Sequence, residues 1–383
     1  LNGHRRAYIG SNPGKIVSSL IKCGSKNPVF LLDEVDKLKK DYKGDPASTL
    51  LDILDVSQNK RFTDNYVDEE IDLSKVLFIL TANDITGIPV ALLDRLEIIS
   101  LTGYSEEEKL YIAENYLIPS ILKKHGLKNN VIKFETETIR KIISNYTSES
   151  GVRELERCIN KIIRKVITEH IKSSRKIVSV RIHDEDLIKY LDQELYLSTD
   201  YKEITTEGVV RAVACTTLGG TTLDIECSDF KGTGKYTFTG SLGDITKESI
   251  EVSISYIKSN AKKFKINESF FSEKDIHIHF TEGGISKDGP SAGIAITTAI
   301  LSLIKSKVIT SDISMTGEIT LKGDILKVGG IKEKVMACKK NKITTLYIPK
   351  SNQRDIEFLD KNLKEGIDFK YIENYIEIYN DLF

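Results

Sequence analysis

Two short apolar runs near the start of the chain constrain its fold more than any other feature. Pro28–Leu32 and Val76–Leu80 are continuously apolar and rich in β-branched or aromatic residues. Such runs are typical of strands in a parallel sheet that is covered on both faces. Between them, Pro46–Leu54 has the pattern of a helix with proline in its first turn. We therefore predict an α/β region over residues 1–103.

The rest of the chain contains two further patterns. Over residues 104–197 the pattern is helical, because Ser105 precedes three glutamates and apolar residues then recur at helical spacing. Over residues 198–383 alternating strands return, together with long helical patterns at Lys247–Phe264 and Ser291–Ser306. The predicted fold is an α/β and α+β multidomain protein with a small helical subdomain between the two mixed domains.

The composition excludes several classes of protein. With 40% hydrophobic and 29% charged residues among 383, the chain is globular and too apolar to be disordered. The net charge of −1 excludes a global basic field for nucleic acid. No apolar run approaches the ~20 residues of a membrane helix. The five cysteines form no C-x-x-C pair, which excludes a zinc ribbon and indicates free thiols in a reducing compartment.

Polar residues at the ends of the apolar runs suggest a nucleotide site. Asp33 and Glu34 follow the first run, where a carboxylate can hold Mg²⁺ on nucleotide phosphates and another can polarise water. Asn83 follows the second run and can orient that water. Arg95 can reach a neighbouring subunit's nucleotide, and Arg153 opens a helix that can follow nucleotide state. A solvated strand end explains the two acids alone equally well, and a surface ion pair explains each of the other residues alone better, but the ordered set favours a nucleotide site.

A phosphate-binding loop G-x-x-x-x-G-K-[ST] does not occur in the sequence. Gly10–Ile16 has one residue too few between its glycines, and Ile16 occupies the position of the Mg²⁺-binding hydroxyl. A second candidate, ending at Lys235, has Asp229 at the first glycine position. We expect this chain to bind ATP weakly, and because it begins at Leu1 we expect it to be part of a longer protein.

A glycine- and proline-rich loop, Glu282–Gly293, suggests a hydrolytic site. It leads into the apolar run Ala292–Ile304, so Ser291 is expected near the N-terminus of a buried helix, where backbone N–H groups suit an oxyanion. A helix N-cap serine is the alternative interpretation. A nucleophilic serine also needs a base.

The sequence offers histidine and lysine as candidate bases. His277 and His279 share one strand face, and without an obvious third ligand a packed strand pair is favoured over a metal site. A double glycine, which suits a tight turn into a helix, precedes Lys334. The lysine lies among apolar residues, and partial burial would lower its pKa so that it can accept the serine proton. Thr316 can orient the lysine amine. A lysine that extends to solvent is the alternative interpretation.

These motifs together resemble two linked families. The ordered set that begins at Asp33 resembles the Walker B strand, sensor 1, arginine finger and sensor 2 of AAA+ ATPases. Lys287–Gly293, Met315–Gly323 and Gly329–Lys334 resemble the Lon proteases of the soluble A type, and the serine–lysine separation also fits. The resemblance spans essentially the whole chain, and one small departure is Ser286, where that loop often has proline.

The resemblance implies an ATP-dependent serine endopeptidase that degrades misfolded and regulatory proteins. Its nucleophile would be Ser291, its general base Lys334 and a helper Thr316. A Tyr–Ile–Gly triplet would supply a pore loop of a hexameric ring, although a tyrosine packed in a turn also explains it. The other family positions fall on Asp33, Glu34, Asn83, Arg95 and Arg153 for the ATPase, and on Tyr8 and Ile9 for the pore loop.

The same resemblance implies the cofactors, partners and location. The intact enzyme would use ATP and Mg²⁺, with Asp33 holding the ion through the nucleotide, whereas the Ser–Lys chemistry would need no cofactor. Its partners would be unfolded or damaged proteins and further copies of the chain in a hexamer, with no membrane and no support for DNA binding. The bacterial cytoplasm is expected, and the mitochondrial matrix is the alternative.

The implied architecture is a partial AAA+ large subdomain (1–103), a helical lid (104–197) and a Lon proteolytic domain (198–383). Two other functions remain open from the sequence. One is an AAA+ protein-binding scaffold or holdase with an inactive hydrolase domain, and the other is a nucleic-acid-linked ATPase such as a helicase loader.

Overall fold

The computed structural model divides the chain into two compact units, residues 1–101 and 102–383. The residues Tyr8 and Ile9, predicted to form a pore loop, lie outside the part of the chain that the structure describes. The described residues are 2–4, 7, 10–38, 46–83, 85, 87–128, 131–173, 179–195, 203–216, 219–283 and 287–383.

The first unit is built around a parallel strand pair. Strands β1 and β4 pair with Val29 opposite Leu77, which confirms the predicted parallel arrangement. Helix α2 begins at Pro46, as predicted, because the missing proline N–H costs nothing in the first turn. The elements of this unit are α1 (Lys15–Cys23), β1 (Val29–Leu32), α2 (Pro46–Leu54), β2 (Phe62–Thr63), β3 (Glu70–Ile71), β4 (Leu77–Leu80) and α3 (Val90–Leu93).

The outer face of the β1–β4 pair differs from the prediction of two covered faces. Val29 and Leu31 are 63% and 62% exposed, and Leu77 and Ile79 are also exposed. Successive side chains of a strand point to opposite faces, so the alternate residues such as Phe30 pack against a core supplied by α1 and α2. The prediction is wrong for the outer face because the described helices cover only one side.

The second unit begins with the predicted helical subdomain. Ser105 caps the first helix, accepting a hydrogen bond from the Glu108 backbone N–H, while the Glu108 carboxylate accepts one from the Ser105 N–H. The apolar residues that recur at helical spacing include Leu155, Ile159, Ile162, Ile163 and Val166 of one long helix, and these five are buried. The elements here are α4 (Glu106–Ile112), α5 (Ile118–Lys124), β5 (Ile132–Phe134), α6 (Thr136–Lys141), α7 (Arg153–Lys172), β6 (Val180–Ile182) and α8 (Asp186–Leu191).

The remainder of the second unit is organised by a mixed sheet. Seven strands of the described residues form it, in the order β15-β14-β11-β7-β8-β10-β9. The strands are β7 (Val209–Thr216), β8 (Gly219–Lys231), β9 (Tyr236–Thr239), β10 (Lys274–Phe280), β11 (Ile313–Met315), β14 (Thr345–Pro349) and β15 (Asp368–Ile372), with a hairpin of β12 (Glu318–Ile319) and β13 (Ile325–Leu326). The helices are α9 (Asp244–Ser259), α10 (Phe270–Glu273), α11 (Gly293–Lys305), α12 (Ile331–Lys340), α13 (Gln353–Glu357), α14 (Lys361–Lys364) and α15 (Tyr375–Leu382).

Each face of this sheet carries its own core. On β7, Ala212 belongs to the core that contains α9 and α11, while the next residue, Val213, belongs to the core that contains α12. Tyr347 and Leu346 of β14 divide between the cores in the same way. The alternation of strand side chains thus places α11 and α12 on opposite faces, and both helices matter for the site described below.

Both long helices of this region are shifted from the predicted ranges. Helix α9 begins before Lys247 and ends before Phe264. Helix α11 begins two residues after Ser291, because Pro290–Ala292 forms a separate 3₁₀ turn. Strand β8 begins with two glycines, Gly219 and Gly220.

Gly220 of β8 lies directly beneath α12. A Cβ atom built on Gly220 would lie 1.8 Å from the carbonyl oxygen of Glu333. No side chain fits there, so the absence of a Cβ allows the helix backbone to approach the sheet. This close approach fixes the position of the helix that carries Lys334.

We expect Gly220→Ala to lower the free energy of unfolding of the second unit by about 1–3 kcal/mol, because the added methyl group displaces α12. The measurement is a urea titration followed by far-UV circular dichroism. Gly151→Ala is the matched control, since a Cβ there would approach only the Glu149 carboxylate, at 3.9 Å. Equal unfolding midpoints for the two variants would contradict this account of the helix position.

Candidate active site

A cleft of about 280 Å³ contains the predicted nucleophile and the predicted base. Its walls come from β7, from the turn before α11, from the β12–β13 hairpin and from the segment that leads into α12. The lining residues are Cys215, Pro290, Ser291, Glu318, Lys327, Val328, Gly329 and Lys334.

Ser291 lies in the 3₁₀ turn that precedes α11, which confirms its predicted position near a helix N-terminus. Its carbonyl oxygen accepts hydrogen bonds from the Gly317 N–H at 2.8 Å and from the Thr316 hydroxyl at 3.2 Å. In return, the Ile294 N–H donates to the Gly317 carbonyl at 3.1 Å. These bonds hold the serine backbone against the end of β11 and satisfy an N–H of the first helical turn.

Thr316 follows β11 at the centre of the sheet and is fully buried. Its N–H donates to the Tyr347 carbonyl at 3.0 Å, which continues the pairing of β11 with β14. Its hydroxyl accepts a hydrogen bond from Lys334 Nζ at 3.0 Å. Thr316 therefore contacts both the backbone of Ser291 and the side chain of Lys334.

Lys334 is only 2% exposed, although lysine is normally a surface residue. Gly330 is the N-cap of α12, and its φ of +68°, which favours glycine, turns the chain into the helix, as the double glycine predicts. Burial lowers the pKa of Lys334 to about 8, against weaker opposing effects of Cys215 and Glu333. A substantial fraction of this amine is therefore neutral near physiological pH.

The Ser291 hydroxyl makes no hydrogen bond with a residue that the structure describes. Unliganded sites commonly have such loose geometry, which tightens when substrate binds. The cleft also contains residues for which the sequence analysis gave no role, above all Cys215 and Lys327. No local sequence motif marks either residue, because the order of the strands and the β12–β13 hairpin bring them to the cleft.

The predicted nucleotide residues of the first unit lie at the carboxyl ends of β1 and β4. The Thr81 hydroxyl donates to Asp33 Oδ1 at 2.5 Å and accepts from the Glu34 N–H at 3.0 Å. Glu34 has a φ of +56° and forms an ion pair with Lys37 at 2.7 Å. Asn83 is exposed at the end of the neighbouring strand. These carboxylate and amide oxygens suit Mg²⁺ as ligands.

The two predicted arginines have different surroundings. Arg95 forms an ion pair with Asp55 at 2.9 Å and donates to the Ala91 carbonyl at 2.7 Å. Hydrogen bonds from Ser57 and then from Arg95 lower the pKa of Asp55 to about 2. Arg153 is the exposed first residue of α7 in the second unit, without an ion pair to any described residue.

The two histidines of β10 share a face, as predicted. Thr239 Oγ1 contacts both, at 3.0 Å from His277 Nε2 and 2.7 Å from His279 Nδ1. Among the described residues, no group of three or more His, Cys, Asp or Glu side chains is arranged to hold a metal ion. The contacts with Thr239 agree with the packed strand pair.

No helix within the described part of the chain is both long and apolar enough to cross a bilayer.

Comparison with known families accounts for nearly the whole chain. The C-terminal proteolytic domain of Lon protease (S16) matches residues 181–383, which is more than half of the chain. The Lon protease AAA+ ATPase lid domain matches residues 123–178. The ATPase family associated with various cellular activities (AAA) matches residues 1–104. The matches give the predicted fold class, an AAA+ module with a lid followed by a Lon protease domain.

Curated relatives agree with these matches. The chain is 46% identical to a Lon protease of Clostridioides difficile over 99% of its own length and 48% of the relative. It is 47% identical to a Lon protease of Malacoplasma penetrans over 100% of its length and 49% of the relative. With Lon protease 1 of Bacillus subtilis it shares 43% identity over 96% of its length and 47% of the relative. The chain spans about half the length of the curated relatives it matches, and it belongs to the Lon protease family.

Proposed function

We propose that this chain is a serine endopeptidase that uses a Ser291–Lys334 dyad, with Thr316 as the residue that orients the lysine. The observation that carries the proposal is the buried Lys334 amine, hydrogen bonded at 3.0 Å to a threonine that also holds the Ser291 backbone. Family membership supports peptide hydrolysis as the reaction. The roles of the individual residues rest on the geometry and chemistry of the cleft.

The hydrogen bonds of Thr316 favour a base role for the lysine. The Thr316 hydroxyl donates its single hydrogen to the Ser291 carbonyl, so its oxygen accepts a hydrogen bond from Lys334 Nζ. A neutral amine that donates to Thr316 keeps its lone pair for another partner. That lone pair can take the Ser291 hydroxyl proton as Ser291 Oγ attacks the peptide carbonyl carbon.

The reaction then follows acyl-enzyme chemistry. Attack gives a tetrahedral intermediate, whose negative oxygen would be stabilised by backbone N–H groups at the start of the turn before α11. Collapse breaks the C–N bond, and protonated Lys334 returns its proton to the leaving amine. Water, deprotonated by neutral Lys334, hydrolyses the ester and releases Ser291.

The first unit would bind the nucleotide in the intact enzyme. The oxygen ligands at the ends of β1 and β4 fit Mg²⁺ with ATP phosphates, with Asp33 near the metal, Glu34 near the attacking water and Asn83 orienting it. Hydrolysis of ATP, with Mg²⁺ on its phosphates, would supply the energy for unfolding a substrate. Arg95 and Arg153 would respond to the nucleotide, and breaking the Arg95–Asp55 pair would release Arg95 for this role.

The intact enzyme would unfold damaged or regulatory proteins in the bacterial cytoplasm and degrade them in a homohexamer, with Tyr8 and Ile9 in the pore. The matched ranges support three modules, for which we propose the limits 1–103, 104–197 and 198–383. For this chain we propose peptidase activity that does not need ATP.

We expect slow hydrolysis of a short fluorogenic peptide by the chain, and complete loss of that activity in Ser291→Ala. MgATP should change the rate less than about twofold, since phosphate-binding loops supply much of the nucleotide affinity. Thermal unfolding of the variant is the folding control. Absence of hydrolysis and of labelling by a serine-reactive fluorophosphonate, in a folded sample, would favour the protein-binding scaffold instead.

We expect kcat/KM to rise with pH around the pKa of Lys334, because only the neutral amine can accept the serine proton. With a pKa of about 8, activity should increase about tenfold between pH 7 and pH 9 and then level off. The measurement is a pH–rate profile of peptide hydrolysis.

Lys334→Arg and Lys334→Met should both be inactive, because an arginine stays charged and a methionine has no basic nitrogen. Lys340→Met, on the exposed end of the same helix, is the matched control and should keep the parent profile. A profile that is flat from pH 7 to pH 9 would contradict lysine as the base.

A further inference from the structure

We propose that the segment Lys327–Gly329 is a main-chain binding subsite, which pairs like a sheet edge with the extended backbone of the polypeptide substrate. Asn352 is the positioning residue that holds this segment. The inference rests on the proposed function, because it names how the substrate of that site is held. Two observations support it. The buried Asn352 side chain binds the backbone groups of Val328, and the residues on either side, Lys327 and Gly329, line the cleft.

Asn352 binds both backbone groups of Val328. Asn352 is fully buried at the end of the 3₁₀ turn after β14. Its Oδ1 accepts from the Val328 N–H at 3.0 Å, and its Nδ2 donates to the Val328 carbonyl at 2.9 Å. One amide can reach both groups only if they point to the same side, which is the geometry of an extended strand.

The neighbouring residues have the opposite environment. Because the peptide bonds on both sides of Val328 are trans, the Lys327 C=O and the Gly329 N–H face away from Asn352. They make no hydrogen bond with any residue that the structure describes, and both residues are exposed and line the cleft with Ser291. A Cβ built on Gly329 would meet no atom within 4 Å, so there is open space beside this backbone.

A second contact holds the segment from behind. Asp355 accepts from Asn352 Nδ2 at 2.7 Å and forms an ion pair with Lys327 at 3.1 Å. Asn352 and Asp355 therefore fix the backbone of the segment and the side chain of its first residue. A segment held in this way can receive a strand without first being ordered, which lowers the entropic cost of binding.

The chemistry identifies the class of ligand. The N–H and C=O groups of Lys327 and Gly329, which are unpaired among the described residues and separated by one residue, match alternate residues of an extended chain. Recognition through the main chain depends little on side-chain identity and requires that the substrate be unfolded locally. The subsite thus selects extended polypeptide segments of varied sequence.

The test is an N-methyl scan of a cleavable peptide. The parent peptide is first assayed with the chain and with Ser291→Ala, which tests the proposed function separately. Single N-methyl groups are then placed on successive amides away from the scissile bond. We expect a loss of kcat/KM of about tenfold at positions two residues apart, with less than about threefold at the position between them, because each pairing amide loses its donor.

Equal losses at all positions, or no loss at any position, would overturn the subsite. If the parent peptide is not hydrolysed, the same scan is read as peptide binding by fluorescence anisotropy. The same alternating pattern supports the subsite even though the proposed catalytic function fails. A uniform pattern, or no binding of the parent peptide, overturns it.

The role of Asn352 is tested with Asn352→Ala. We expect KM for the parent peptide to rise about tenfold with kcat changed less than about threefold, because the released segment must be ordered by the substrate. Asn341→Ala is the control, since that amide donates to the Ala337 carbonyl at the end of α12 and lies outside the cleft.

Active-site titration with a fluorophosphonate separates positioning from folding. A merely structural Asn352 would lower the titrated concentration of sites and the apparent kcat, and would leave KM unchanged. That result would overturn the positioning role. If Asn352→Ala does not fold, the N-methyl scan on the unaltered chain still decides the proposal.

Discussion

The hydroxyl group of Thr316 joins the two faces of the proteolytic sheet. Ser291 lies on the face of the sheet that α11 covers, and Lys334 lies on the face that α12 covers. Thr316, directly after the interior strand β11, donates to the serine carbonyl and accepts from the lysine amine. Because a hydroxyl has one proton, this arrangement also fixes the direction of each hydrogen bond. The relative position of the candidate nucleophile and base depends on this contact.

The burial of Lys334 determines whether its amine can act as a base. An exposed lysine is almost entirely charged at neutral pH and is a poor base. Here α12 lies against β8, where Gly220 has no side chain, and the helix carries Lys334 into the interior. The loss of hydration lowers the pKa of Lys334 to about 8. Helix packing on a sheet thus produces the neutral amine that the proposed chemistry needs.

One segment of the cleft wall has two proposed roles. Asn352 binds both backbone groups of Val328, and the flanking residues line the cleft without a backbone hydrogen bond to any described residue. The segment continues directly into Gly330, which begins α12. The proposed main-chain subsite and the proposed base, Lys334, therefore lie on one continuous stretch of backbone. A substrate bound to this wall would lie beside both residues of the dyad.

The sequence by itself determined the local elements and the residue types of the site. Apolar runs identified β1 and β4, the double glycine predicted the start of α12, and the motifs around Ser291, Thr316 and Lys334 indicated a hydrolase. Only the tertiary structure decided which faces are covered and how far Lys334 is buried, because burial depends on packing between residues distant in sequence. Asn352 is the clearest case, since a buried asparagine has no local pattern and acquires its role only by lying behind Val328.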